Sequence, residues 1–146
     1  MTEYSRETYD QIIDDIRPML TGHWAETATY KDIPLSPNFA AYKAMIDSGH
    51  MRVFAAREDG KLQGYALISA LPRHSQYDHP WAMSNLFWVA PEARGKGVGR
   101  GLVRFIKENL VGYVLQVISS MDNPELGVLL ISEGFSPVET VHSIRL

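Results

Sequence analysis

Cysteine is absent from the 146 residues, so no disulfide framework, thiolate metal site or cysteine-bound acyl group can belong to this protein. An excess of positive charge is missing too. Fourteen Lys and Arg against 17 Asp and Glu leave a formal net charge of −3, which disfavours nucleic acid as the main partner. No apolar run approaches the ~20 residues that span a bilayer. The first ten residues carry acids and tyrosines rather than a basic stretch leading into an apolar one. Neither a membrane segment nor a signal peptide is expected, and the cytoplasm is the default compartment. What remains is a globular composition, 45% hydrophobic and 21% charged, of a size that fits one domain over residues 1–146.

Apolar spacing predicts a helix from Tyr9 to Trp24, with a kink or break near Arg17 because Pro18 follows. A second helix is expected to start at Ser36-Pro37, with Phe39, Tyr42, Met45 and Ile46 on one face and Gly49 at its end. Met51–Arg57 and Leu62–Leu71 read as two strands joined by a tight turn at Asp59-Gly60. A polar stretch from Pro72 to Pro80 precedes a third strand, Trp81–Val89. After it come a helix carrying Leu102, Val103, Phe105, Ile106 and Leu110, a strand Tyr113–Ser119, a helix Pro124–Glu133 and a final strand Phe135–Leu146. Hairpins mixed with helical crossovers imply an α/β (α+β) fold, a mixed sheet with helices on both faces.

The informative segment runs from Leu86 to Gly101, out of a strand, through Pro91 and into glycines at 95, 97, 99 and 101 at the start of an amphipathic helix. A helix start leaves backbone N–H groups without partners and adds partial positive charge. Glycines let that backbone approach a bulky anion, and Arg94, Lys96 and Arg100 add formal charge. These parts suit a pyrophosphate. A triphosphate loop needs G-x-x-x-x-G-K-[S/T], which is absent. A dinucleotide fingerprint needs G-x-G-x-x-G, whose third glycine falls on Arg100 or Leu102. The pattern left is R-x-x-G-x-G, from Arg94, Gly97 and Gly99.

That pattern resembles the acetyl-CoA motif, [Q/R]-x-x-G-x-[G/A], of the GNAT superfamily of N-acetyltransferases. Val89, Pro91, Glu92 and Arg94 before it are similar to the family's approach to the motif, and Asn123, a helix and Gly134-Phe135 are similar to its ending. The segment His23-Trp24-Ala25-Glu26 resembles short phage and prophage members. The resemblance covers roughly Met51 to the C-terminus. It implies a mostly antiparallel mixed sheet that splays between its fourth and fifth strands, acetyl-CoA as cosubstrate, no metal, and a homodimer as a common assembly. It further implies that the amides of Gly95, Lys96, Gly97, Val98, Gly99 and Arg100 hold the CoA pyrophosphate. The strand end Phe87, Trp88 and Val89 would run beside the pantetheine arm, with Asn123 on the other side.

Acyl transfer from a thioester requires a neutral amine, and an alkylammonium has a reference pKa near ~10, so a base is needed. The developing oxyanion needs a donor, for which the N–H of Val89 is the candidate. Two departures from the family bear on this chemistry. Leu130 stands where many members carry a proton-donating tyrosine, and Met83-Ser84-Asn85 carries no carboxylate where some members have a glutamate. Glu26 and His23, in the region that lines the acceptor pocket in relatives, are therefore the candidate catalytic side chains, with His74, Tyr77, Asp78 and His79 expected near the acceptor entrance. The expected acceptor is a primary amine of a small molecule or peptide. The alternative is a module on the same fold that binds CoA or a protein without turnover.

Overall fold

The computed structural model describes residues 1–146. Five strands form one sheet in the order β1 (Glu3–Glu7), β2 (Met51–Glu58), β3 (Lys61–Leu71), β4 (Trp81–Val89) and β5 (Val114–Gln116). The first four run antiparallel, and β5 joins β4 in parallel. Helix α1 (Tyr9–Thr27) and helix α2 (Phe39–Asp47) precede β2; α3 (Val98–Asn109) links β4 to β5, and α4 (Pro124–Ser132) follows β5. No helix is long and apolar enough to cross a membrane.

The hairpin at Asp59-Gly60 forms as expected, because both residues take the positive φ that such a turn requires. Strands β2 and β3 are buried on both faces. One face packs Val53, Tyr65 and Leu67 under α1, and the other packs Phe54, Ile68 and Ala66 under Leu102 and Ile106 of α3. Helix α1 starts at a reciprocal cap in which Gln11 N donates to Thr8 Oγ1 and Thr8 N donates to Gln11 Oε1.

Four expectations need correction. The helix α1 does not break at Pro18. The residue is exposed, so the hydrogen bond that its missing N–H forfeits lies on the solvent side, where water takes the carbonyl. Helix α2 begins at Phe39 under an Asn38 cap rather than at Pro37. An N-terminal strand exists where none was expected, because the edge of β2 supplies the pairing that Glu3–Glu7, polar on both faces, does not advertise. Finally, Phe135–Leu146 is not a strand. Its branched residues favour extended backbone, but β5 spans only three residues and no ladder reaches the tail. The tail instead returns toward α1: the hydroxyls of Tyr30 and Ser143 lie 2.7 Å apart, and Arg145 pairs with Asp32.

Candidate active site

Strands β4 and β5 pair only from Trp81–Val114 to Met83–Gln116. The next bond of that ladder is diverted: Ile118 N donates at 2.9 Å to the buried hydroxyl of Ser84 rather than to a backbone carbonyl. Beyond Ser84 the strands part, which is the splay expected from the resemblance.

At the same point β4 carries a bulge. Leu67 faces Leu86 but Ile68 faces Ser84, so Asn85 is an extra residue without a partner. The bulge reverses the alternation of backbone groups along β4. Downstream, Ala90 N donates to Gln63 O at 2.8 Å, so Trp88 also faces β3. The N–H groups of Phe87 and Val89 must then face the other edge, which β5 has vacated. Of the three residues expected beside a pantetheine arm, two present backbone to the gap, whereas the backbone of Trp88 is used by the sheet.

The four glycines divide into two kinds. Gly95 and Gly97 adopt φ of 74° and 82°, which side-chain-bearing residues avoid. Gly99 and Gly101 do not take positive φ, and of the two only Gly101 is needed for closeness. A Cβ on Gly99 would lie 3.4 Å from Leu129 of α4 and 3.6 Å from Val89, and one on Gly101 would lie 2.0 Å from the hydroxyl of Tyr4. Gly101 N, donating to Gly97 O at 3.0 Å, is the first amide of α3 with a helical acceptor. The consecutive amides from Gly95 to Arg100 have none within the protein, and the backbone from Gly95 to Gly97 is open to solvent. Donors of this number at a helix start match a diphosphate.

The three cations of the segment differ in what they touch. Arg94 turns back over the end of β4, donating from Nε to Val89 O at 3.0 Å and from one terminal nitrogen to both oxygens of Glu26 at 2.9 and 2.7 Å. Arg100 and Arg104 hold Glu133, the residue that ends α4, and pull its carboxyl below the usual range. Lys96 is exposed and has no ion-pair partner. Asn123 caps α4 by position, but its side chain makes no capping bond.

Glu26 and His23 meet at Trp88. The indole N–H of Trp88 donates to Glu26 at 3.4 Å, and the His23 ring stacks on the indole with centroids 5.6 Å apart. His23 is buried, with Nδ1 2.7 Å from the hydroxyl of Tyr65. Burial lowers its pKa to about 4; the carboxylate of Glu26 opposes that shift and Arg94 adds to it. Its imidazole is therefore neutral at pH 7. Burial also raises the pKa of Tyr65. Tyr65 is the partner that spacing could not reveal, because it lies on β3, 42 residues from His23.

Residues 72–80, expected near the acceptor entrance, form a cluster of their own. His74, Tyr77 and Trp81 stack on one another, with centroids 4.4 to 5.4 Å apart, and Arg73 pairs with Asp78. None of these residues lines the apolar cavity under α1 and α2. That cavity, of about 370 Å³, lies between α1, the loop 28–38, α2 and the sheet, and Trp24, Leu67 and Leu86 contribute to its wall. The signal for it was available: Ile12, Ile13, Ile16, Leu20 and Trp24 make the apolar stripe of α1 broader than one buried face requires.

Comparison with known proteins agrees with this geometry. The profile of the acetyltransferase (GNAT) family matches residues 10–124. The chain is 33% identical over 107 residues to the N-alpha-acetyltransferase RimI of Mycobacterium tuberculosis, covering 73% of this chain and 65% of that protein. It is 31% identical over 99 residues to the phosphinothricin N-acetyltransferase of Alcaligenes faecalis, covering 62% of this chain and 48% of that one. The match thus spans under two thirds of either relative's length. In fold, the chain superposes on AAC(6')-Iy in complex with a CoA bisubstrate analogue with a TM-score of 0.74 at 19% identity, covering 100% and 98% of the two chains. With the strand gap, the glycine-rich helix start and the family match in agreement, the chain belongs to the GNAT acetyltransferase family.

Proposed function

We propose that the protein is an acetyl-CoA-dependent N-acetyltransferase that acts on a primary amine by direct transfer, both substrates being bound together. The observation that carries this reading is the run of unpartnered amides from Gly95 to Arg100, placed beside a strand edge whose Phe87 and Val89 amides face an open gap. One feature grips an anion and the other accepts an extended polar chain, as CoA requires. The bound cosubstrate supplies an activated thioester carbonyl. Relatives of this chain carry names of enzymes that acetylate the amines of proteins and small molecules, and a CoA-linked analogue binds a structure of the same fold.

In this reading the Val89 N–H donates to the carbonyl oxygen as negative charge gathers there. The amine nitrogen forms the new C–N bond, the C–S bond breaks, and the sulfur leaves as thiolate, a fair leaving group at a thiol pKa of ~8.5. Glu26 takes the proton released by nitrogen, directly or through one water. His23, neutral and held by Tyr65 and Trp88, positions that end of α1 rather than moving the proton. Leu130 offers no hydroxyl to the sulfur, so the thiolate collects its proton from solvent. As a CoA-using enzyme the protein belongs in the cytoplasm. Titration calorimetry with acetyl-CoA tests the central claim: micromolar binding that Gly97→Val abolishes is expected, and no binding at high micromolar concentration overturns it.

A further inference from the structure

The cavity beside the β4 edge has an unusual lining for an amine-binding site. It is walled by aliphatic and aromatic side chains from α1, α2 and the loop between them, and the lining residues with polar groups in their side chains, Tyr9, Trp24, Tyr30, Ser36 and Tyr42, are all uncharged. No carboxylate lines it. Of the nearby acids, Asp32 pairs with Arg145 and Asp47 with Lys43, and Glu26, outside the lining, is the one proton acceptor that the proposed reaction uses. Two of the lining rings carry cations: Arg17 lies 4.7 Å from the ring centre of Phe39 and Lys43 lies 5.5 Å from that of Tyr9. Lys43 is neutralised by Asp47, which leaves Arg17 as the cation on that side. At the mouth, Ile33 and Leu35 stand 48% and 39% exposed, apolar surface that an apolar occupant would cover.

From this lining, and resting on the acetyltransferase reading above, we infer that the acceptor is a small monoamine with an aromatic or branched-alkyl body, which sits in the cavity between α1 and α2. A volume of about 370 Å³ is that of a small-molecule site and too small for a folded partner. A polyamine is disfavoured because each ammonium would lose water with no carboxylate in the lining to replace it, and Arg17 stands close by. The same lining favours the reactive form of a monoamine, since desolvation penalises the ammonium relative to the neutral amine. Leu86 lines the cavity three residues before Val89, about 10 Å away along an extended strand. A ring with a short alkyl arm spans that distance and delivers its nitrogen to the gap.

The test measures thiol release from acetyl-CoA with 2-phenylethylamine, spermidine and an alanine-terminated tripeptide, and in parallel the quenching of Trp24 fluorescence by each amine alone, with Trp24→Phe as the blank. The inference predicts kcat/KM for 2-phenylethylamine at least about 100-fold above that for spermidine or peptide. It also predicts saturable quenching by 2-phenylethylamine that Trp24→Phe removes. Ile33→Asp, on the exposed loop where folding is not at stake, should raise KM for 2-phenylethylamine at least about tenfold and leave the affinity for acetyl-CoA unchanged. Equal or better turnover of spermidine or peptide, or no saturable quenching, overturns the inference while the acetyltransferase reading stands. Saturable quenching without thiol release from any amine upholds the cavity assignment and overturns the enzyme.

Discussion

The hydroxyl of Tyr4 lies 2.0 Å from where a Cβ on Gly101 would stand, and a ring carbon lies at 2.3 Å. The strand β1 and the helix α3 thus meet through a tyrosine seated on a glycine, 97 residues on in sequence, with the hydroxyl donating to Val98 O at 3.4 Å. The last glycine of the loop serves this contact and not the anion.

Gly101→Ala should accordingly destabilise the protein by about 2 kcal/mol through overpacking, although alanine favours helices. Tyr4→Phe should not relieve it, because the ring carbon at 2.3 Å remains. In a Tyr4→Ser background the sign should reverse, with Gly101→Ala neutral or stabilising. Urea unfolding with and without Gly101→Ala in the wild-type, Tyr4→Phe and Tyr4→Ser backgrounds measures this, and equal destabilisation in the wild-type and Tyr4→Ser backgrounds refutes the contact.

His23 should make the protein acid-sensitive. Its folded pKa of about 4 lies below the ordinary value near 6.5, so protons bind the unfolded chain first. Its contribution is fully present above pH 6.5 and is lost as the pH falls toward 4, amounting to roughly 3 kcal/mol for a shift of this size. Unfolding of wild type and His23→Gln between pH 7.5 and 4.5 should show a gap in stability that narrows with acidity. Parallel curves would contradict the buried neutral imidazole.

Glu26→Gln should lower kcat by ~10²-fold or more with little change in KM for acetyl-CoA, as expected for loss of a proton acceptor. The lost activity should return partly at high pH, where more amine is neutral. A rise in KM for acetyl-CoA at constant kcat would show instead that the carboxylate serves only to hold Arg94, with which it pairs at 2.7 Å.

Lys96→Ala should weaken acetyl-CoA binding by roughly fivefold, about 1 kcal/mol, because its ammonium has no acid partner and stands beside the open amides. The effect should fade in high salt. Arg100→Ala should chiefly lower the Tm, since that guanidinium holds Glu133 at the end of α4. Calorimetry at two salt concentrations and thermal melts separate the two roles.

Much of this was legible in the residues. The R-x-x-G-x-G run at Arg94–Gly99, the Asp59-Gly60 turn and the core strands carry local signals, a fixed φ or an unbroken apolar run, that need no tertiary context. The rest depended on partners distant in sequence. Glu3–Glu7 is a strand because β2 offers an edge, and Phe135–Leu146 is not one because nothing does. In the site, Glu26 and Arg94 find each other across 68 residues, and Tyr65 reaches His23 across 42. The breadth of the α1 stripe hints at the cavity, but its walls come from α2, the loop 28–38 and the sheet, which only the fold brings together.

The surplus residue at Asn85 has one more implication. Which amides look across the gap is settled by an odd-or-even count along β4 and by no side chain at all. Deleting Asn85 would restore a regular ladder and would rotate the amides of Phe87 and Val89 out of the gap. In the proposed reaction the Val89 N–H keeps its aim through changes of neighbouring side chains, but not through the gain or loss of a single residue between Ser84 and Val89.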